Sequence, residues 1–441
     1  MALNGKRTFV GFGFGAIQAG LFLYEAFRSG GFRRLVAAEI MPSVVKAVRE
    51  AGGWYSVNIA HSDRIEIARI GPVEVADPSS EQDRRLLVDA VAEAEEIATA
   101  VPSVQHYSSS SPGSLDRLLS DGLRKKARHS LPRAVVYAAE NHNHAAEILE
   151  ERVLTAIPSE ERDLVRQRVR FLNTVIGKMS GVVTDPQEIL QRGLSTMTPS
   201  ESRAFLVESF NRILITRICF EGAESRFQRG ITVFEERQDL LPFEEAKLYG
   251  HNATHALAAY IGAVRGVQRI ADLAEIPGAM PFLESAFLQE SGETLIRRHR
   301  NLDPLFTADG YREYAMDLLQ RMTNPHLLDT VERVGRHPER KLGWDDRMLG
   351  TMRLAFQQGV VPRRYALGAA CAWAMLDPMV LDTDSPLPAT LDRIWNPVSP
   401  DPSERNTMLT LIEEGRIQLK RWRCAGYPHL EQFIDAQTHT M

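Results

Sequence analysis

The feature that narrows this chain most is a glycine string set directly behind a short apolar run. Arg7 to Val10 read as a first strand, and GFGFGAIQAGLFLYEAF follows at once. Gly11, Gly13 and Ala16 keep the G-x-G-x-x-G/A spacing: the first glycine makes a tight turn, the second lets backbone approach a pyrophosphate, and the small third residue keeps helix close to strand. The helix that starts there would turn its unpaired N–H groups and positive dipole end toward the phosphates. Val10, Gly11, Phe12, Gly13, Phe14, Gly15, Ala16 and Ile17 are the expected cofactor-binding segment.

A second apolar strand, Arg34 to Ile40, carries Glu39 near its end. An acid there accepts both ribose hydroxyls and repels a 2′-phosphate, which favours NAD over NADP. The pattern then continues in alternation. Trp54 to Val75 suggests a hairpin-like excursion with a turn near Asp63, Glu81 to Glu95 a helix, and Glu96 to Val101 a buried strand. Thr99 and Ala100, at the carboxyl end of that strand, would face the cofactor. Ser108 to Ser111 make a serine loop, Leu115 to Lys126 a helix, Ala134 to Ala138 a strand and Glu147 to Val153 a helix. Between the last two, Glu140, Asn141, His142, Asn143 and His144 crowd a strand end where either helix capping or ligand binding would use them. Val169 to Ile176 reads as the last clear strand, with Asn173 inside it.

Beyond about residue 200 long helical patterns broken by Gly and Pro take over. A chain of 441 residues exceeds one ordinary core, so two domains are expected. The expected fold is an α/β N-terminal Rossmann-like domain over residues 1–195, binding NAD, with a mostly α-helical C-terminal domain over 196–441 that binds substrate.

Within the second part, LPFEEAKLYGHNATHALAAYIGAV (Leu241 to Val264) is the informative stretch. Pro and two Glu open it, as a helix N-terminus favours, and Ala- and Leu-rich sequence follows. At about 100° per residue, Lys247, His251, Asn252 and His255 project into one polar sector. A solvated face in so charged a chain would repeat Glu, Lys and Arg, yet no charge follows Lys247 until Arg265. A lone ammonium in a neutral, hydrogen-bonding pocket loses affinity for its proton and becomes a base. The helix would line a cleft facing the cofactor's pyridine ring.

Composition removes other classes. The net charge of −5 without a long basic run argues against nucleic acid or an anionic membrane as partner. Three widely spaced cysteines, Cys219, Cys371 and Cys424, suggest neither a disulfide framework nor a structural zinc, so no metal is expected. The sequence lacks an apolar run of the roughly 18 residues a membrane span needs, and its first residues lack the order of a secretion signal, so a cytoplasmic location is expected. With no heptad or long apolar seam, a monomer or weak homodimer is expected.

Taken together, the chain resembles the polyol-specific long-chain dehydrogenases, and most closely their mannitol-1-phosphate 5-dehydrogenase branch. The Gly11 turn carries the resemblance, with IGPVEVADP from Ile70, ENHNHAAE from Glu140 and FLNTVIGKM from Phe171. KLYGHNATHALAAYIG from Lys247 and NPHLLDTVERVGRHPERKLGWDDRMLG from Asn324 complete it. The resemblance implies metal-independent, NAD-dependent oxidation of a secondary alcohol on a sugar alcohol or sugar-alcohol phosphate, mannitol 1-phosphate to fructose 6-phosphate first. A free polyol, a hexuronate ketone or a silent NAD-binding protein are the alternatives. It implies Lys247 as general base, Asn252 and Asn141 as donors to the reacting oxygen, and His255 as orienting group. Asn173 and His251 would line the substrate, and His326, Lys341 and Arg347 would hold an anionic group on it. The family commonly reads Asn-Ser-x-Val-Asp-Arg where this chain has Asn173 to Lys178 as NTVIGK, so Gly177 and Lys178 replace an Asp and an Arg.

Overall fold

The computed structural model describes residues 6–210, 212–221, 227–327, 329–382 and 388–438, with the backbone alone at 388–390 and 437–438. The chain divides into two compact units, Met1–Leu241 and Pro242–Met441.

The first unit holds an eight-stranded sheet and a four-stranded one. Its strands are β1 (Arg7–Phe12), β2 (Phe32–Ala38), β3 (Tyr55–Ala60), β4 (Ile65–Ile70), β5 (Glu74–Ala76), β6 (Glu96–Thr99), β7 (Ala134–Ala138) and β8 (Val169–Ile176). They continue with β9 (Ser180–Val183), β10 (Ala204–Glu208), β11 (Ile213–Thr216) and β12 (Phe234–Arg237). The large sheet runs β12-β11-β8-β7-β6-β1-β2-β5, parallel except where β11 meets β8. The small sheet runs β4-β3-β10-β9. In the parallel strands both faces are buried, which is why they read as unbroken apolar runs. Phe9, Leu35, Ala98, Val135 and Tyr137 pack on one face with the helical run 16–29. Val10, Phe12, Val36, Ile97 and Val136 pack on the other, under the helices Glu81–Glu93, Leu115–Arg128 and Ala145–Thr155.

Two expectations are corrected here. The first unit passes the expected boundary at residue 195 and ends at Leu241. Val169–Ile176 is not its last strand, because β10 joins β3 while β11 and β12 extend the large sheet. These strands are four or five residues long, too short for periodicity to separate from helix. The hairpin expected from Trp54 forms as β3 and β4, paired antiparallel, but its tail becomes β5 and joins β2 instead.

The second unit has helices as its regular elements among the described residues, with an isolated bridge from Arg269 to Thr330. Its centre is the helical run 241–265, buried on every side from Ala256 to Gly262 and ended by Gly266 in the left-handed region, φ 72°. Helix Arg363–Leu376 packs on it so closely that a Cβ on Gly368 would stand 2.3 Å from Leu257. The run is α over Leu241–Glu245 and Ala253–Arg265 but a π-turn over Ala246–Asn252. A π-turn bonds i to i+5 and frees backbone carbonyls, and side chains from other helices meet two of them. Tyr314 donates to Ala246 O at 3.4 Å and Thr351 to Tyr249 O at 3.3 Å.

Candidate active site

In the first unit the glycine turn has the shape its spacing demands. Gly13 sits at φ 88°, where side-chain-bearing residues are strained, and a Cβ on it would lie 2.8 Å from Ala100 O. Its N–H bonds Ala38 O at 2.9 Å, tying the turn to the end of β2. A Cβ on Gly15 would meet nothing within 4 Å, so open space lies before the helix that begins at Ala16. The side chains of Val10, Phe12 and Phe14 belong to the core, Phe14 edge-on to Tyr55 with centroids 5.0 Å apart. Those three positions, expected at the cofactor, have only their backbone to offer it. Ile17 likewise packs against the core. Gln18 was not foreseen. It is fully buried under Gly11, and neither end of its amide finds a partner among the described residues.

Around this turn the polar side chains are mostly committed to one another. Thr99 Oγ1 donates to Glu140 at 2.9 Å, the Val101 N–H donates to the same carboxylate at 2.9 Å, and Tyr107 donates to it as well. Burial pushes Glu140 up while those donors pull it down. Glu140 thus pins the ends of β6 and β7, a role absent from the sequence reading because its three donors lie in another segment. Ala100 keeps its N–H on Phe12 O at 3.0 Å. Asn141, next to Glu140, is exposed. Asn173, expected at the substrate, is spent locally: Oδ1 accepts from Ala146 N at 2.9 Å and Nδ2 donates to Glu147 at 2.8 Å. Lys178 donates to the carbonyls of Glu208 and Phe210.

In the second unit the π-turn carries Lys247, His251 and Asn252, so a uniform 100° projection does not describe them. Lys247 and His251 nevertheless share one cluster with Arg347, while Asn252 is partly buried at the end of the π-turn. Burial lowers the Lys247 ammonium to about 8, the Arg347 charge adds to that, and Glu244 opposes it. Among the described residues, no hydrogen bond or ion pair reaches Lys247 Nζ. His251 is 5 % exposed and held well below the usual imidazole value by burial and then by His255, Arg321, Lys247 and Arg347. His251 and His255 stack with centroids 5.9 Å apart. His255 Nε2 stands 3.0 Å from Asp329 Oδ2, and Asp329 also pairs with Arg333. Asp329 and Arg321 are the site's unforeseen members. Their segments approach the helix only in three dimensions, and no spacing rule announces that.

The remaining expected ligands divide. Arg347 lies in the cluster, its Nε on Asp346 at 2.8 Å, and its charge depresses Lys247, His251 and Lys341. Lys341, expected to hold an anion, instead donates to Val334 O at 2.7 Å and to Arg336 O, and is 3 % exposed. Its lowering to about 8 comes from burial first and Arg347 second. His326 is partly buried, its N–H held by Asn324 Oδ1 at 2.9 Å. Among the described residues no group of three or more His, Cys, Asp or Glu side chains is arranged to hold a metal, and no helix is long and apolar enough to cross a membrane.

Comparisons with known proteins agree with this anatomy. Residues 7–228 match the mannitol dehydrogenase Rossmann domain and residues 239–380 the mannitol dehydrogenase C-terminal domain. The mannitol-1-phosphate 5-dehydrogenase of Bacillus pumilus (strain SAFR-032) is 31% identical over 77% of this chain and 81% of its own. That of Bacillus licheniformis is 28% identical over 77% and 80%. Among solved structures, a substrate-free D-sorbitol dehydrogenase superposes with TM-score 0.74 at 15% identity, covering 96% of this chain and 94% of its own. Pseudomonas fluorescens mannitol 2-dehydrogenase, in a ternary complex with NAD and D-mannitol, superposes with TM-score 0.68 at 16% identity, covering 100% and 96%. At those identities the superpositions speak for the fold, while the two domain matches speak for descent. The chain belongs to the mannitol dehydrogenase family of oxidoreductases.

Proposed function

We propose that this enzyme is an NAD-dependent, metal-independent dehydrogenase that oxidises a secondary alcohol of a sugar-alcohol phosphate, mannitol 1-phosphate to fructose 6-phosphate. The observation that carries the reading is Lys247: a partly buried amine, lowered to about 8, whose Nζ no side chain or carbonyl holds among the described residues. Such a nitrogen exchanges a proton near neutral pH, which is what a general base for an alcohol must do.

The first unit is assigned to the cofactor and the second to the substrate. The Gly13 turn and the open space before Ala16 fit a pyrophosphate, and Glu39, directly after β2, is assigned to the ribose diol. NAD, when bound, supplies the acceptor for hydride from the alcohol carbon. Neutral Lys247 takes the hydroxyl proton as that carbon is oxidised and returns it when a ketone is reduced. Asn252 donates to the reacting oxygen, stabilising negative charge without competing for the proton. Asn141 is assigned the same task by the resemblance. His255, backed by Asp329, orients the substrate, and Arg347 is the cation offered to its phosphate. The parent alcohol without phosphate is the competing substrate. The protein is assigned to the cytoplasm, as a monomer or weak homodimer.

The test is hydride transfer with NAD on a panel holding mannitol 1-phosphate, mannitol and sorbitol, for wild type and Lys247→Ala. Turnover on the phosphate, with kcat lowered about 10²–10⁴-fold in the variant, is expected of a general base. A loss below about tenfold would remove Lys247 from that role. Preference for free mannitol would reassign the substrate.

A further inference from the structure

Glu39 follows β2 directly, its N–H on Ala76 O at 3.0 Å. One carboxylate oxygen, Oε1, accepts the Met41 N–H at 2.7 Å. Beside this turn lies Arg203, at the entry to β10. Glu201 grips its guanidinium twice, Nε to Oε1 at 3.0 Å and Nη2 to Oε2 at 3.1 Å. The third nitrogen, Nη1, points at the thioether of Met41, 3.4 Å from Sδ. A thioether is a weak acceptor on a flexible side chain, so this donor is oriented but not consumed. Arg203 is held above the usual arginine value, first by its Glu201 hydrogen bond and also by the charge of Glu39, which puts the two groups in electrostatic reach. Ile40, 79% exposed, and Met41, 45% exposed, add an apolar surface at the same turn. A flat base with a polar sugar beside it fits such a surface.

We infer, on the NAD assignment above, that Arg203 is a second coenzyme-selecting residue: its guanidinium flanks the ribose position, where it would hold a 2′-phosphate that Glu39 keeps out. The chemistry follows from the parts. A pre-oriented guanidinium whose third nitrogen meets only a weak acceptor is a phosphate receptor, and its clamp to Glu201 removes the entropy of ordering it. The Glu39 carboxylate next to it repels the same phosphate and accepts a ribose diol instead. The chain thus carries both halves of a coenzyme choice, and one carboxylate decides between them.

The experiment titrates 5′-AMP and 2′,5′-ADP into the full chain by calorimetry and takes the ratio of the two affinities, since a variant that only loosened the fold would weaken both. Wild type should favour 5′-AMP. In Glu39→Gln the ratio should swing toward 2′,5′-ADP by about tenfold or more, and in the double variant Glu39→Gln with Arg203→Met most of that swing should vanish. Arg203→Gln in the same background serves as the second variant and should behave as the methionine does. A swing of equal size with and without Arg203 overturns the inference and leaves the NAD assignment standing. Absence of binding by either nucleotide to wild type overturns both.

Discussion

Two lysines, one in each unit, have their hold on a proton lowered by burial first of all, and only one of them is spent on the fold. Lys126 in the first unit is fully buried, and burial lowers it to about 7. Lys247 in the second is lowered to about 8 by the same cause. Lys126 spends its ammonium on two carbonyls, Ala94 O at 2.6 Å and Pro132 O at 2.8 Å, and so ties a helix end to the segments that lead into β6 and β7. Lys178 and Lys341 are spent the same way. Lys247 has no such anchor among the described residues and sits on a π-turn beside His251 and Arg347. A lowered lysine therefore does not mark a catalytic group by itself. The distinguishing property is a nitrogen whose hydrogen bonds are not already committed to the fold.

That contrast can be broken by substitution. Lys247→Met should lower kcat about 10²–10⁴-fold. It should also raise the melting temperature near pH 7. The folded-state value of about 8 lies below the usual lysine value of 10.5, so below pH 8 the fold carries a charge it disfavours, and the gain should fade as pH rises toward 10.5. A variant that melts lower at pH 7 would show that the ammonium is anchored after all. Lys126→Met should do the reverse, costing about 1–3 kcal/mol of stability as two carbonyls lose their donor, with kcat retained. Denaturant unfolding of both variants beside their turnover checks the exchange of roles. A smaller effect is expected at Asp329→Asn, where His255 keeps its place but loses its anionic partner: about a tenfold loss in kcat/KM, seen mainly in KM if His255 orients substrate. Loss confined to kcat would move His255 into the chemical step.

How far the sequence announces this follows from the kind of constraint involved. The Gly11 turn is legible because backbone conformation dictates residue type, and Gly13 at φ 88° meets that demand. The Lys247 helix is legible because its polar residues contradict its apolar surroundings. The π-turn within it leaves no comparable trace, since ordinary helix formers fill Ala246 to Leu248. Lys341 and Asn173 look like ligands in sequence because their partners, two carbonyls for the one and a neighbouring helix start for the other, are backbone groups that residue type does not announce. Asp329 goes unread because its partner His255 is distant in sequence, and so does the anchoring role of Glu140 on Thr99, Val101 and Tyr107. β9 to β12 were missed because short strands take their identity from the sheet they join, not from their own residues.

The central claim is that Lys247 gives and takes the proton, and the pH dependence of kcat for mannitol 1-phosphate oxidation with NAD tests it most directly. On that claim the neutral amine is the base, so the rate should climb with pH and level off above an apparent pKa of about 8, while fructose 6-phosphate reduction, for which the claim requires the ammonium, should fall through the same value. Residual activity of Lys247→Ala should lack that limb. If the limb persists unchanged in the variant, another group carries the proton and the account is contradicted.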